Sequence, residues 1–86
     1  MVRQQDIAHL QRRLERARLL LLAGRLSEDV AWRLLRRTTQ LLDKAEGGEY
    51  EPTLKVIYTL IEALWINTRH QRELAELKLR ADGLGS

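Results

Sequence analysis

The chain has 86 residues with no cysteine and one proline, and its formal net charge is +3 at pH 7. This length leaves room for one small domain, and the lack of cysteine excludes a disulfide framework, a thiolate nucleophile and a thiolate zinc site. Leu, Ile and Val together supply 25 residues and Phe is absent, so we expect a single domain, 1–86, that folds on an aliphatic core.

Targeting and membrane-spanning patterns do not appear along the sequence. Residues 1–6 are polar, whereas a secretory signal has an apolar core close to its start. The two apolar stretches, 19–23 and 54–66, are shorter than the roughly 18 residues of a transmembrane helix. We therefore expect a cytoplasmic protein.

A first helix is predicted over about 3–23, because apolar residues recur there at helical spacing. They share one stripe of the helix: Ile7, Leu10, Leu14, Ala17 and Leu21. Gly24 then ends the helix, since glycine readily adopts the left-handed backbone conformation of a C-terminal cap.

A second helix is predicted over about 28–46, with Ser27 as its N-cap and two carboxylates in its first turn. Its apolar face comprises Val30, Ala31, Leu34, Leu35, Thr38, Leu41, Leu42 and Ala45. Because the link over 24–27 is short, the two helices are expected to form an antiparallel hairpin.

Residues 23–30 also resemble part of a helix-turn-helix, in which a turn glycine and a capping serine precede the recognition helix. That motif usually has apolar residues where this chain has Arg25 and Arg33. The two helices are also long, so a plain hairpin is the better interpretation.

A loop over 46–52 leads to a third helix predicted over about 53–82, followed by a flexible tail at 83–86. At 1.5 Å per residue this helix is roughly 45 Å long, against about 30 Å for each of the others, so it overhangs them. Residues 54–66 are apolar around about 220° of the helix, which is wider than one hairpin covers. We therefore predict an all-α three-helix bundle that oligomerises or docks on a larger partner.

Basic residues are concentrated in the hairpin. Residues 1–44 carry ten basic and five acidic side chains, whereas residues 45–86 carry five and seven. Twelve of the fifteen cations are arginine, whose planar fork of donors matches phosphate oxygens. The candidate nucleic-acid-binding residues are Arg12, Arg13, Arg16, Arg33, Arg36, Arg37 and Lys44. Such a surface binds a nucleic acid backbone without sequence specificity, but it also fits the solvated face of helices in an arginine-rich chain.

The wide apolar part of the third helix predicts an interface with a second copy or a larger protein. Its candidate residues are Ile57, Tyr58, Ile61, Leu64, Trp65, Asn67 and Gln71. The two amides either fix the register of packed helices or lie in water beyond the end of the bundle. The aromatic side chains either anchor a partner or form the rim of a small core.

Catalytic and metal-binding patterns are sparse. Glu62 is the one acid among the apolar residues of the third helix, and His70 with Glu73 has an i, i+3 spacing without a third ligand. No glycine-rich phosphate loop or Ser/His/Asp set is present in the sequence. We therefore expect no enzyme activity, no cofactor, no metal and no small-molecule substrate.

These patterns favour a small accessory subunit that assembles with copies of itself or larger proteins and contacts a nucleic acid backbone. In size, helicity and basicity the chain resembles the small helical subunits of CRISPR effector complexes and the compact helical modules of phage DNA-packaging proteins. That resemblance implies contact with DNA or RNA within a larger assembly. The alternative is a protein-interaction or oligomerisation bundle, natural or designed, with no nucleic acid role.

Overall fold

The computed structural model describes residues 1–84, with Leu84 described by its backbone alone. It contains three helices, α1 (Gln4–Leu22), α2 (Glu28–Lys44) and α3 (Glu51–Leu84), and no strand within those residues. The first two form an antiparallel hairpin and α3 packs against both, so the predicted all-α three-helix bundle is confirmed. None of the helices, over the described residues, is long and apolar enough to span a membrane.

The third helix is longer at both ends than the sequence predicts. It begins at Glu51 instead of residue 53, because Pro52 lies in the first turn, where a missing N–H removes no hydrogen bond within the helix. It also continues through residues 83 and 84, which the sequence predicts to be tail, since one glycine near a helix end costs only about 1 kcal/mol. The rest of that predicted tail, 85–86, lies outside the described residues.

Capping contacts define the start of α1 and the two ends of the link between α1 and α2. The backbone N–H of Arg3 donates to the Asp6 carboxylate at 2.9 Å, which caps the start of α1. Gly24, with φ of +70°, follows α1 in the left-handed conformation predicted for it. The Ser27 hydroxyl then accepts a hydrogen bond from the Val30 N–H at 3.2 Å, so the predicted N-cap of α2 is confirmed.

The loop between α2 and α3 is held by one carboxylate. Gly47 has φ of +74°, and its N–H donates to Glu51 Oε2 at 2.6 Å. Lys55 Nζ, one turn further along α3, lies 2.9 Å from Glu51 Oε1. The hydrogen bond and charge of Lys55, together with the Gly47 N–H, lower the pKa of Glu51 from its ordinary value of 4.5. Glu51 therefore joins the turn after α2 to the first turn of α3.

The core lies between one stripe of α3 and the facing sides of the hairpin. The stripe follows a spacing of three and four residues and comprises Leu54, Ile57, Ile61, Leu64 and Thr68, all buried. It packs with buried aliphatic residues of α1 and α2: Ile7, Leu10, Leu14, Ala17, Ala31, Leu34, Leu35 and Leu41. The buried hydroxyls of Thr38 and Thr68 donate to backbone carbonyls one turn earlier, so neither is left unsatisfied.

The predicted overhang of α3 is confirmed. The last buried residue of α3 is Thr68, and residues 69–83 are exposed. The longest dimension of the molecule is 58 Å, against 20 and 16 Å for the other two. About 12 residues, 73–84, project beyond the hairpin, which corresponds to roughly 18 Å of helix.

Replacing Glu51 with Gln should lower the thermal midpoint at pH 7, because the amide loses the charge attraction to Lys55. The native pKa of Glu51 is lowered, so its contribution to stability is present above the ordinary pKa of 4.5 and is lost as the pH falls through the lower native pKa. The midpoints of wild type and Glu51→Gln should therefore differ at pH 7 and converge as the pH falls through the lowered native pKa. Circular dichroism melts at pH 7 and at an acidic pH below that native pKa measure this.

Glu49→Gln is the matched control, since Glu49 is an exposed acid of the same loop for which no ion pair occurs within the described chain. It should change the midpoint little at either pH. Equal shifts for the two variants at pH 7 would contradict the role given to Glu51.

Candidate nucleic-acid interface

The predicted cations all lie on the outer surface of the hairpin, but they do not form one patch. Arg13 and Arg37 are half-buried and the other five are exposed. Arg12 lies about 100° around α1 from Arg13, because consecutive helical residues are separated by that angle. Lys44 lies at the far end of α2, where it lines a cleft with Val2 and Tyr50.

A groove between α1 and α2 brings part of the set together. Its volume is about 300 Å³, and its lining is Arg13, Arg16, Ala17, Leu20, Val30 and Leu34. Arg33 and Arg37 follow Val30 and Leu34, respectively, by three residues, so both lie toward the same side of α2. The groove therefore has an aliphatic floor with two arginines on its α1 wall and two more beside its α2 wall.

Arg36 is separated from this group by the geometry of α2. It lines a second groove, about 290 Å³ in volume, between α2 and α3, together with Trp32, Thr39 and Tyr58. Arg36 therefore contributes to the surface between α2 and α3, although it follows Arg33 by three residues on the outer side of α2. Arg36 and Arg37 are adjacent in sequence, but the helix separates their side chains by about 100° around its axis.

Most of these cations have no acidic partner among the described residues. Arg33 lies 2.9 Å from the Asp29 carboxylate. Arg12, Arg13, Arg16, Arg36, Arg37 and Lys44 have no carboxylate within 4.0 Å among the described residues. Several are three or four residues apart, a spacing at which like charges destabilise a helix by a few tenths of a kcal/mol. The hairpin therefore holds a set of mutually repulsive charges that no carboxylate of the described residues neutralises.

Three of the five cations of α3 are paired with carboxylates, whereas Lys78 and Arg80 have none within 4.0 Å among the described residues. Lys55 pairs with Glu51, Arg69 lies 3.5 Å from the Glu73 carboxylate, and Arg72 contacts acids on two helices. Arg72 Nη1 lies 2.8 Å from Glu28 Oε2, and its Nε lies 3.9 Å from Glu76 Oε1. Unneutralised charge is thus concentrated on the hairpin even though arginine occurs in both halves of the chain.

The contact between Arg72 and Glu28 joins the start of α2 to the point where α3 leaves the bundle. From the sequence, Glu28 is expected only to interact with the positive end of the α2 dipole, and its contact with Arg72 is not predicted. One signal was available: Arg72 follows Thr68 by four residues, so it extends the buried stripe of α3 toward the link between α1 and α2. The two residues line a shallow pocket of about 410 Å³ with Gly24, Leu26, Ser27, Thr68 and Gln71.

The predicted protein interface is wrong for three of its residues. Ile57, Ile61 and Leu64 are buried in the core of the chain itself, so they are not accessible to a second chain. The sequence could not decide this, because α3 is apolar on several sides and any of them could have faced the hairpin. The apolar side chains of α3 that stay exposed are Val56, Leu60, Ile66, Leu74, Leu77 and Leu79.

The remaining predicted interface residues have two different environments. Tyr58 and Trp65 are half-buried at the edge of the core. Trp65 contacts Trp32 with ring centroids 6.3 Å apart, and the Arg69 guanidinium lies 5.7 Å from the Trp65 ring centroid. Asn67 and Gln71 are exposed, although Thr68 between them is buried. Both amides therefore face solvent in the single chain, on either side of Thr68 at the end of the buried stripe.

The residues considered for catalysis do not converge. Glu62 is exposed, and His70 is exposed with its Nδ1 at 3.7 Å from a Glu73 carboxylate oxygen. Across the part of the chain that the structure describes, no group of three or more His, Asp or Glu side chains is placed to hold a metal ion.

The fold and the charge distribution define a three-helix bundle with a cationic hairpin and a protruding third helix. Comparisons with models of protein families, with curated proteins and with solved structures find no match.

Removing a paired arginine and removing an unpaired one should change the free energy of unfolding differently. Arg72→Gln removes a contact to Glu28 and should lower the free energy of unfolding by up to about 1 kcal/mol in dilute buffer. Arg16→Gln removes one of several crowded like charges and should leave that free energy unchanged or raise it by up to about 0.5 kcal/mol. Urea unfolding at 20 mM and 500 mM salt tests both.

The difference between the two variants should shrink at the higher salt concentration, since salt screens exposed charges. Equal destabilisation by both substitutions would show that Arg16 has a stabilising partner, contrary to the geometry.

Proposed function

We propose that the protein is a small, non-enzymatic helical subunit of the cytoplasm that binds a nucleic acid backbone through its hairpin and assembles through α3. The observation that carries this proposal is the set of six hairpin cations with no carboxylate within 4.0 Å in the described chain. Such a set costs stability in the isolated chain. An external polyanion offsets that cost, because phosphates supply the missing negative charge.

The shape of the groove between α1 and α2 supports a backbone contact. Arg13 and Arg16 extend from the rigid helix α1, and Arg37 lies near the opposite wall. Guanidinium groups donate two parallel hydrogen bonds to phosphate oxygens, and rigid helices limit the entropy lost on binding. Three such contacts release condensed counterions, so the affinity falls with salt by a slope of roughly 0.9 per phosphate neutralised.

The aromatic side chains favour backbone contact over the stacking of single-stranded bases. Trp65 already contacts the Trp32 ring and the Arg69 guanidinium within the chain, and Tyr58 is half-buried between α2 and α3. Proteins that bind single strands by stacking present several aromatic faces along a cationic groove. The groove between α1 and α2 is lined by aliphatic and basic residues only.

A second candidate function is an oligomerisation or adaptor bundle with no nucleic acid role. The observation that favours it is the exposed row of aliphatic residues on α3, where Leu74 is 65% exposed and Leu77 is 58% exposed. In this alternative the arginines serve as a solvated surface. The two candidates differ in whether the hairpin cations affect the binding of an anion.

Fluorescence anisotropy with a labelled 20-base-pair DNA duplex, and with an RNA duplex, between 50 and 300 mM salt tests the proposal. Replacing Arg13, Arg16 and Arg37 with Gln should reduce the affinity and lower the salt slope by up to about 2.7, which is three contacts at 0.9 each. Circular dichroism establishes that the variant remains helical.

The control replaces Arg18, Arg25 and Arg69 with Gln, which removes the same net charge away from the groove. It should lower the salt slope much less. A wild-type slope near zero, or equal losses for the two triple variants, would reject the nucleic acid function and leave the oligomerisation bundle.

A further inference from the structure

The third helix carries a second row of residues that the bundle does not use, which we call the outer seam. Its positions follow a spacing of three and four residues, the pattern of a heptad repeat. The members are Thr53, Val56, Leu60, Ala63, Asn67, His70, Leu74, Leu77 and Ala81, and every one is exposed. The outer seam spans 29 residues by these positions, or roughly 42 Å of helix.

The outer seam and the buried stripe occupy different sides of α3. At 100° per residue, their centres are separated by about 120° around the helix axis. The hairpin therefore covers the buried stripe and leaves the outer seam open along its length, including the overhang after residue 72. Each seam residue is therefore accessible to solvent in the single chain.

We propose that the occupant of the outer seam is α3 of a second copy, packed in parallel as a two-stranded coiled coil. This inference rests on the proposed function, in which the protein assembles through α3. Parallel pairing places each seam residue opposite the same residue of the second copy. Asn67 then faces its own equivalent near the middle of the seam, where a single polar residue specifies register and a two-stranded state at a cost in stability.

Charge complementarity supports the parallel direction. Glu73 immediately precedes Leu74 and Lys78 immediately follows Leu77, so the two charges flank the seam on opposite sides. In a parallel pair, a residue on one flank lies near the residue five positions later on the other flank of the partner helix. Glu73 of one copy is thereby placed beside Lys78 of the other, twice per dimer.

Lys78 is available for that contact. No carboxylate lies within 4.0 Å of it among the described residues, whereas Lys55 and Arg72 on the same helix are paired within the chain. Antiparallel pairing with Asn67 against His70 of the second copy instead places Glu73 beside the apolar Ile66. Against this antiparallel register, the charges favour the parallel direction.

Sedimentation equilibrium of the full chain at 5 to 100 μM, without nucleic acid, tests the occupant of the seam. Wild type should have a mass of about 20 kDa, twice the 10.0 kDa of one chain. The double variant Leu74→Gln/Leu77→Gln should shift toward a monomer with at least a tenfold weaker association. Both residues lie in the overhang, so the bundle is expected to keep its helicity.

Leu79→Gln is the matched control, because Leu79 is 71% exposed in the same overhang but lies off the outer seam. It should leave the mass near that of the dimer. A wild-type monomer at 100 μM, or an oligomer that the double variant leaves intact, would overturn the proposal.

The direction of pairing has a separate test, since the chain contains no cysteine and one introduced thiol reports on one position. Ala81→Cys should form a disulfide-linked dimer under mild oxidation, because residue 81 faces its own equivalent only in a parallel pair. Glu76→Cys, off the seam, should cross-link much more slowly. Equal rates for the two variants would reject the parallel arrangement.

Failure of the seam and failure of nucleic acid binding give different results. A monomer with salt-dependent duplex binding rejects the seam and keeps the cationic hairpin. A dimer with a salt slope near zero keeps the seam and rejects the backbone contact.

Discussion

The packing of one stripe of α3 against the hairpin determines the rest of the molecule. Leu54, Ile57, Ile61, Leu64 and Thr68 close the core, and their rotation about the helix axis decides which other side chains of α3 meet solvent. A helix has only one rotational setting that buries this stripe. Leu60 and Leu74 are exposed for that reason, and Arg72 is brought to Glu28 at the point where the bundle ends.

The elements themselves could be predicted because their signals are local. Gly24, Ser27 and the glycines after α2 mark the ends of helices through backbone conformation and capping, both of which depend on a few neighbouring residues. The periodic apolar residues of α1 and α2 identify most of their buried faces, although Val30 of the predicted α2 face is exposed. These parts of the fold follow from short stretches of sequence.

The buried face of α3 could not be predicted in the same way. Its apolar residues surround most of the helix, so periodicity alone does not show whether Ile61 or Leu60 lies in the core. In the structure Ile61 is fully buried and Leu60 is about half exposed. The Glu28–Arg72 contact joins residues 44 positions apart, which no local rule connects. Likewise, Arg36 lines the groove between α2 and α3, a position that depends on how α2 packs against α3.

The hairpin and α3 differ in how many of their cations are paired with carboxylates. The carboxylates of α3 neutralise nearby cations, as Glu51 does for Lys55 and Glu73 for Arg69. The hairpin has fewer such partners, and its arginines stay close together on rigid helices. An uncompensated surface of this kind lowers the stability of a monomer, which natural proteins commonly accept at positions that serve binding.

Because α3 is continuous, the overhang has a fixed rotation and a fixed distance relative to the hairpin. No proline or break separates the packed part from the overhang, so the two share one helix axis and one rotational setting. Each residue added or removed near position 72 turns the projecting leucines by about 100° and moves them by about 1.5 Å relative to the hairpin. A change of seven residues nearly restores that angle while changing the length by about 10 Å. The distance and the direction at which the hairpin is held from any partner of the overhang are therefore set by the number of residues in this single helix.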